Sequence, residues 1–227
     1  SKSSRFLLRY YTAPGALVEL GHGQLTTILQ RISRKQLGAE RAGELMTAAG
    51  QSVGITEGMR IIIREIHPYL DRVEYLDSFI TELERQMEAR LATIPYCHNL
   101  LTVPGIGTIT VAGFLGEVGD VSQVRTQDSL IKLAGLNLFE ISSGKRKGGI
   151  HISKRGRSLL RKLMYMASIN LVKKGGIYHD YYTRLLDRGK LKKLAIVAVS
   201  RKLLRLMFAL IRHNTAYDQT YTVKRVA

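Results

Sequence analysis

The sequence predicts a mainly helical, all-α protein in two parts: a helical connector over residues 1–95 and a basic helical domain over residues 96–227. Three observations lead there. Apolar residues recur at three- and four-residue spacing along most of the chain, as in Leu25, Ile28, Leu29 and Ile32. Glycine and proline fall between such runs, at Gly38, Gly50, Gly54, Pro95, Gly135 and Gly189. The third observation is where the charge lies. Residues 1–136 hold 14 Lys/Arg and 14 Asp/Glu, whereas residues 137–227 hold 21 and 4, so the whole net charge of +17 belongs to the C-terminal stretch. A neutral half joined to a strongly basic half is the electrostatic footprint of a region that binds a polyanion, the alternative being a solvated basic face.

Taken in order, residues 15–48 read as two helical stretches separated near Gly38. A helix is expected from about Thr56 toward His67, with Pro68 in the first turn of the next. That next helix, roughly 68–93, carries Val73, Leu76, Ile80, Leu83 and Met87 at 3-4-3-4 spacing with charged residues between, the pattern of a coiled-coil seam. Fewer than three heptads are present, so packing on the protein's own helices accounts for the seam as well as dimerisation does. Pro95 ends the helix. Further helices are expected over about 126–135, with Gly135 as the stop, from Ser153 as N-cap through Leu159, Leu160, Leu163 and Met164, over 177–188 up to Gly189, and over the very apolar 191–213.

Composition removes several classes of function. No run of about 18 apolar residues free of charge appears, so a membrane span is not expected. The N-terminus, SKSSRFLLRYY, has no signal-peptide pattern and begins abruptly, as the edge of a longer chain would. A single cysteine, Cys97, excludes an internal disulfide and a cysteine-cluster metal site, and reads as a buried small hydrophobe in a reducing compartment. There are no paired carboxylates, no HExxH and no GxxxxGK[ST], and the histidines are scattered.

Two segments carry chemistry. Pro104-Gly105-Ile106-Gly107, between Leu100/Leu101/Val103 and an apolar run from Thr108, resembles a helix-hairpin-helix element. There Gly105, Ile106 and Gly107 would let backbone amides face a phosphate oxygen without reading bases. A purely structural hairpin fits the same residues, and the acids Glu117 and Asp120 are its near neighbours in sequence. The second segment, ISSGKRKGGIHISKRG over 141–156, is Gly-rich and basic. A serine hydroxyl attacks a phosphate only when its proton is removed and the phosphate charge is neutralised. Ser142 and Ser143 beside Lys145, Arg146 and Lys147, and across a turn from Lys154, Arg155, Arg157 and Arg161, meet that need. They also fit a flexible phosphate contact with no catalysis.

The ordered segments PGIG (104–107), TQDSLIKLAGLN, SSGK, ISKRGRSLLRKLMYMAS and YYTRLLDRGKLKKLAIVAVSRKLL resemble the C-terminal transposase domain of the IS one-ten insertion-sequence family, over residues 100 to about 212. The helical part before them is similar in layout to that family's coiled-coil connector. The resemblance implies a prokaryotic, cytoplasmic, nucleoid-associated DNA recombinase that is a homodimer or tetramer. A structured bridge RNA would pair with target and donor DNA. It also implies a nucleophilic serine, which maps to Ser143 with Ser142 as runner-up, and a covalent phosphoserine link that conserves bond energy during strand exchange. Lys145, Arg155 and Arg157 would neutralise the phosphate.

The family's N-terminal RuvC-like domain, with its acidic metal-binding residues, has no counterpart in these 227 residues. Asp71 and Asp77 lie on a charged helix and do not replace it. No cofactor is therefore expected for this chain alone, Mg²⁺ being expected with the acidic domain, and this stretch should bind nucleic acid yet fail to cut unaided. The alternative reading is a non-catalytic helix-hairpin-helix module for branched DNA or RNA.

Overall fold

The computed structural model describes residues 2–53, 58–140 and 150–220. Among them the chain is mainly helical, with a single two-stranded antiparallel ribbon. It divides into two compact units, Ser1–Glu82 and Leu83–Ala227.

The first unit opens with α1 (Lys2–Tyr10), which was not expected; α2 (Pro14–Leu20), α3 (His22–Ile32) and α4 (Ala39–Gly50) then stand where two helical stretches were expected. The additional break is Gly21. Its φ of +77° is a left-handed value that glycine adopts without steric cost, and it closes α2 immediately before α3 begins. Leu25, Leu29 and Ala42 are fully buried, with Leu17, Leu20, Leu45 and Met46 packed on them. Leu17 and Leu20 lie three apart, Leu25 and Leu29 four, and Ala42 three and four before Leu45 and Met46, so each helix contributes one apolar face.

The helix α5 (Met59–Ala92) is continuous through Pro68, contrary to the expected break there. Proline's fixed φ is itself helical, so the cost is confined to the hydrogen bond that Pro68 cannot give to the Arg64 carbonyl. Arg64 and Pro68 are both exposed, where water can serve that carbonyl. Arg5 of α1 pairs with Asp77, and Arg9 reaches Asp71 at 2.7 Å and Glu74 at 3.0 Å, so three of the α5 carboxylates are neutralised within the first unit. The expected seam is open: Val73, Leu76, Ile80, Leu83 and Met87 are between 37% and 51% exposed.

The second unit is built around α11 (Lys192–His213), whose Ala195, Val199, Leu203, Leu204 and Met207 are fully buried. Against it lie α6 (Cys97–Leu101), α8 (Gln127–Leu133), α9 (Ser158–Leu171) and α10 (His179–Asp187), while α7 (Thr108–Val118) packs on α9. Gly113 allows the α7–α9 approach, since a Cβ there would sit 2.6 Å from Leu163 Cδ1. Two buried hydroxyls join α9 to α11: Ser168 Oγ lies 2.7 Å from the Met164 carbonyl and 3.0 Å from Ser200 Oγ.

Two expectations for α9 are corrected. The helix starts at Ser158, four residues later than expected, and Ser153 does not cap it. Leu159 is 53% exposed; the buried stripe is Leu160, Met164, Ala167 and Leu171. The residues before the helix form a structure that periodicity did not reveal, β1 (Leu138–Glu140) paired with β2 (Ile150–Ile152).

Candidate nucleic-acid interface

The basic stretch is anchored by a tight crossing between the end of α8 and the segment entering α9. Thr126 caps α8, its hydroxyl accepting the Ser129 amide at 3.1 Å, and Gly135 at φ +65° turns the chain out of the helix. The ribbon follows, with Leu138 opposite Ile152, Phe139 opposite His151 and Glu140 opposite Ile150. The chain then returns across α8. The Ser153 amide donates to the Asn137 carbonyl at 2.9 Å, the Lys154 amide to Gly135 at 3.0 Å and the Arg157 amide to Leu133 at 2.7 Å.

Glycine is required at both sides of this crossing. A Cβ at Gly156, which holds φ +150°, would lie 2.3 Å from the Leu133 carbonyl oxygen. One at Gly135 would lie 2.8 Å from Arg161 Nη1 and 2.9 Å from the Lys154 carbonyl carbon. Lys154 itself takes φ +54°, a left-handed conformation uncommon for a residue with a side chain. Arg161 closes the arrangement by donating to the Ala134 carbonyl at 3.0 Å and to the Lys154 carbonyl at 3.4 Å. Ser153 hydrogen-bonds through its hydroxyl to Asn137 Oδ1 and accepts the Arg155 amide at 3.4 Å, so it fixes the exit from β2.

What this crossing presents to solvent is cationic. Lys132, Lys154, Arg155 and Arg157 are exposed, and none has a carboxylate partner among the described residues. Lys132 and Arg155, with Asn137, Phe139 and Ser153, line a hollow of about 280 Å³. Cationic donors at the edge of such a hollow suit a phosphate oxygen. Of the residues predicted for the site, Lys154, Arg155 and Arg157 share one exposed segment, while Arg161 is turned inward to backbone carbonyls. Ser142, Ser143, Lys145, Arg146 and Lys147 lie outside the described residues.

The Pro104–Gly107 turn is elsewhere. It links α6 to α7, Gly105 adopts φ +85°, and Val103 and Ile106 are buried in the core. A Cβ at Gly105 would touch Leu171 Cδ2 at 3.0 Å, which places the turn beside the C-terminal end of α9. The basic crossing precedes the N-terminal end of that helix. Fourteen residues at 1.5 Å each set the two about 20 Å apart. The turn also has a neighbour that sequence reading did not find. Glu88, on α5 and twenty residues upstream, accepts the Thr108 hydroxyl at 3.5 Å, at the N-terminus of α7. A carboxylate is favoured near a helix N-terminus by the helix dipole.

Burial is the leading cause of the shift at Cys97, Tyr178 and Arg201. It pushes the Cys97 thiol and the Tyr178 phenol upward. It lowers the Arg201 guanidinium, whose neighbour Arg205 acts in the same direction. No group of three His, Cys, Asp or Glu residues able to hold a metal ion occurs among the described residues. No helix there is long and apolar enough to cross a membrane.

Comparison with known proteins follows the same segments. Residues 97–183, from α6 into α10, match the family described as Transposase IS116/IS110/IS902. Over 224 residues the chain is 25% identical to the insertion element IS900 uncharacterized 42 kDa protein of Mycobacterium paratuberculosis, covering 98% of this chain and 56% of that one. It is 26% identical over 227 residues to the insertion element IS116 uncharacterized 44.8 kDa protein of Streptomyces clavuligerus, covering 100% and 57%. It is 29% identical over 161 residues to the pilin gene-inverting protein of Moraxella bovis, covering 66% and 48%. The chain thus spans about half the length of the curated relatives it matches.

Proposed function

We propose, from the premise that residues 97–183 are a transposase domain of the IS116/IS110/IS902 family, that this chain is the connector and strand-transfer domain of a DNA recombinase. The observation that carries the reading is the α8–β1–β2–α9 crossing. It holds Lys154, Arg155 and Arg157 in one exposed segment, without carboxylate partners among the described residues, directly after the Gly-rich stretch that contains the two serines. Glu140 and Ile150 face each other across the ribbon, so the serine-bearing stretch leaves and re-enters the fold at one point, at the end of the ribbon that springs from the crossing.

Ser143 is the nucleophile in this reading, with Ser142 the other candidate of the doublet. Its Oγ attacks the phosphorus of a DNA phosphodiester and forms a phosphoserine ester, while the bond from phosphorus to one deoxyribose oxygen breaks. The serine proton passes to solvent, and the departing oxygen takes one up to become a hydroxyl. Attack by a strand hydroxyl reverses these changes and restores the serine, so strands are exchanged without an external energy source. Lys145, Arg155 and Arg157 offset the charge that builds on the phosphoryl oxygens. Lys154, Arg146 and Lys147 hold neighbouring phosphates.

Guide RNA is the further polyanion in this reading, supported by a positive excess confined to residues 137–227. Self-association through α5 is supported by the open seam of Val73, Leu76, Ile80, Leu83 and Met87.

The test is a recombination assay with the full-length protein, read on a denaturing gel for a protein–DNA adduct. Ser143→Ala is expected to abolish both adduct and recombination, with Ser142→Ala retaining them. Recombination undiminished in both variants would overturn the nucleophile and leave a nucleic-acid-binding module.

A further inference from the structure

Between α9 and α11, beside β2, runs an open groove of about 500 Å³. Its floor is apolar: Leu136, Ile152 and Val197. Tyr165 lines it half-buried, and its phenol has no hydrogen-bond partner among the described residues. Lys162 and Lys193 stand at its rim from the two helices, both exposed and both without a carboxylate partner among the described residues. No acidic side chain lines it. Arg161 also borders the groove, but its Nη1 is spent on the Ala134 and Lys154 carbonyls.

We infer that this groove receives one unpaired, unstacked nucleotide. A nucleobase has the two properties the groove complements, a flat apolar face and an attached anion. Every base presents a π-face to an aromatic side chain, and the phosphates on either side of it need cations at the rim. An apolar ligand without charge would leave Lys162 and Lys193 unused; a fully paired duplex offers no base face for Tyr165 or the floor. The volume accommodates a nucleotide rather than a longer strand. The groove meets the basic crossing through Ile152 of β2 and Ser158 of α9. A base lifted out of a helix would therefore be held next to the segment that carries Lys154, Arg155 and Arg157. The inference rests on the nucleic-acid reading above and adds to it a preference for a particular strand geometry.

The experiment compares binding of a fluorescently labelled duplex bearing one unpaired adenine with the same duplex fully paired, in DNA and in RNA form, by polarisation. The wild-type chain is expected to bind the bulged duplex about five-fold or more tightly, in keeping with the worth of one base on an aromatic side chain. The sugar showing the larger preference identifies the source of the nucleotide. Tyr165→Ala should erase the preference, Tyr165→Phe should keep it, and Lys162→Gln with Lys193→Gln should weaken both duplexes. A preference that survives Tyr165→Ala, or is absent from the wild type while paired duplex still binds, overturns the groove and leaves the recombinase reading standing. Failure to bind any duplex overturns both. Because Tyr165→Ala could disturb packing, a wild-type crosslink from 5-iodouracil at the unpaired position gives an independent answer. An adduct on Tyr165 supports the groove, and one mapping outside α9 and α11 overturns it.

Discussion

Arg161 Nη1 lies 3.0 Å from the carbonyl oxygen of Ala134 and 3.4 Å from that of Lys154. One guanidinium nitrogen thus joins the end of α8, the exit of the ribbon and the start of α9. These carbonyls are local ends of structure, which helix or sheet partners do not serve. Arg161→Ala is expected to destabilise the chain by about 1.5–3 kcal/mol, the range for hydrogen bonds to a charged group. Arg161→Lys should recover only part of this, since a lysine lacks the planar fork. Chemical denaturation followed by circular dichroism measures both. An Arg161→Ala chain as stable as the wild type would mean that the residue acts in binding alone.

Gly156 and Gly107 give opposite expectations. Gly156→Ala sets a methyl 2.3 Å from the Leu133 oxygen at φ +150°, so backbone strain of roughly 1–3 kcal/mol is joined by a steric clash. At Gly107, φ is −113° and a methyl would meet nothing within 4 Å, so Gly107→Ala should stay within about 0.5 kcal/mol of wild type. Thermal melts of the two variants compare them directly, and a reversed order would contradict the crossing geometry.

The cations of the crossing predict a salt response. The logarithm of the affinity for DNA or RNA should fall linearly with log salt, and Lys154→Gln, Arg155→Gln or Arg157→Gln should each reduce that slope by about one. Their melting temperatures should be unchanged, because none of the three side chains has a partner to lose among the described residues. A salt titration of each protein measures the slopes; equal slopes for all three variants and the wild type would place the phosphate contacts elsewhere.

Glu88 decides between the two readings of the Pro104–Gly107 turn. If the N-terminus of α7 grips phosphate, its carboxylate neighbour competes with the ligand, and Glu88→Gln should tighten binding about two- to five-fold, the scale of a charge at a helix end. If the turn is only structural, affinity should not change.

Elements whose boundaries are set by nearby residues were legible in the sequence. Gly135 and Gly189 stop their helices at positive φ, and the α11 stripe of Ala195, Val199, Leu203 and Met207 follows its own spacing. Pro68 was misleading, because an exposed proline costs a helix one bond without ending it. The ribbon escaped notice because three residues per strand are too few for an alternating pattern to stand out, and its pairing joins positions fourteen apart at Leu138 and Ile152. Glu88 and the inward Arg161 are products of tertiary packing, so no local signal marks either. For the site, the sequence located the cations at 154–157 and the hairpin glycines, but it held no measure of their separation. The serines at 142 and 143 were marked by resemblance and lie outside the described residues.

The packing of Gly105 against Leu171 and of Gly113 against Leu163 makes α7 run alongside α9 in the opposite direction. With a strand gripped at both of its ends, α9 would act as a ruler. Its length of about 20 Å matches some six nucleotide steps of 3.4 Å along one strand. A strand held at the glycine turn and again at the basic crossing would be registered by count, whatever its letters, so that shortening α9 by one turn would move the second grip by between one and two nucleotides.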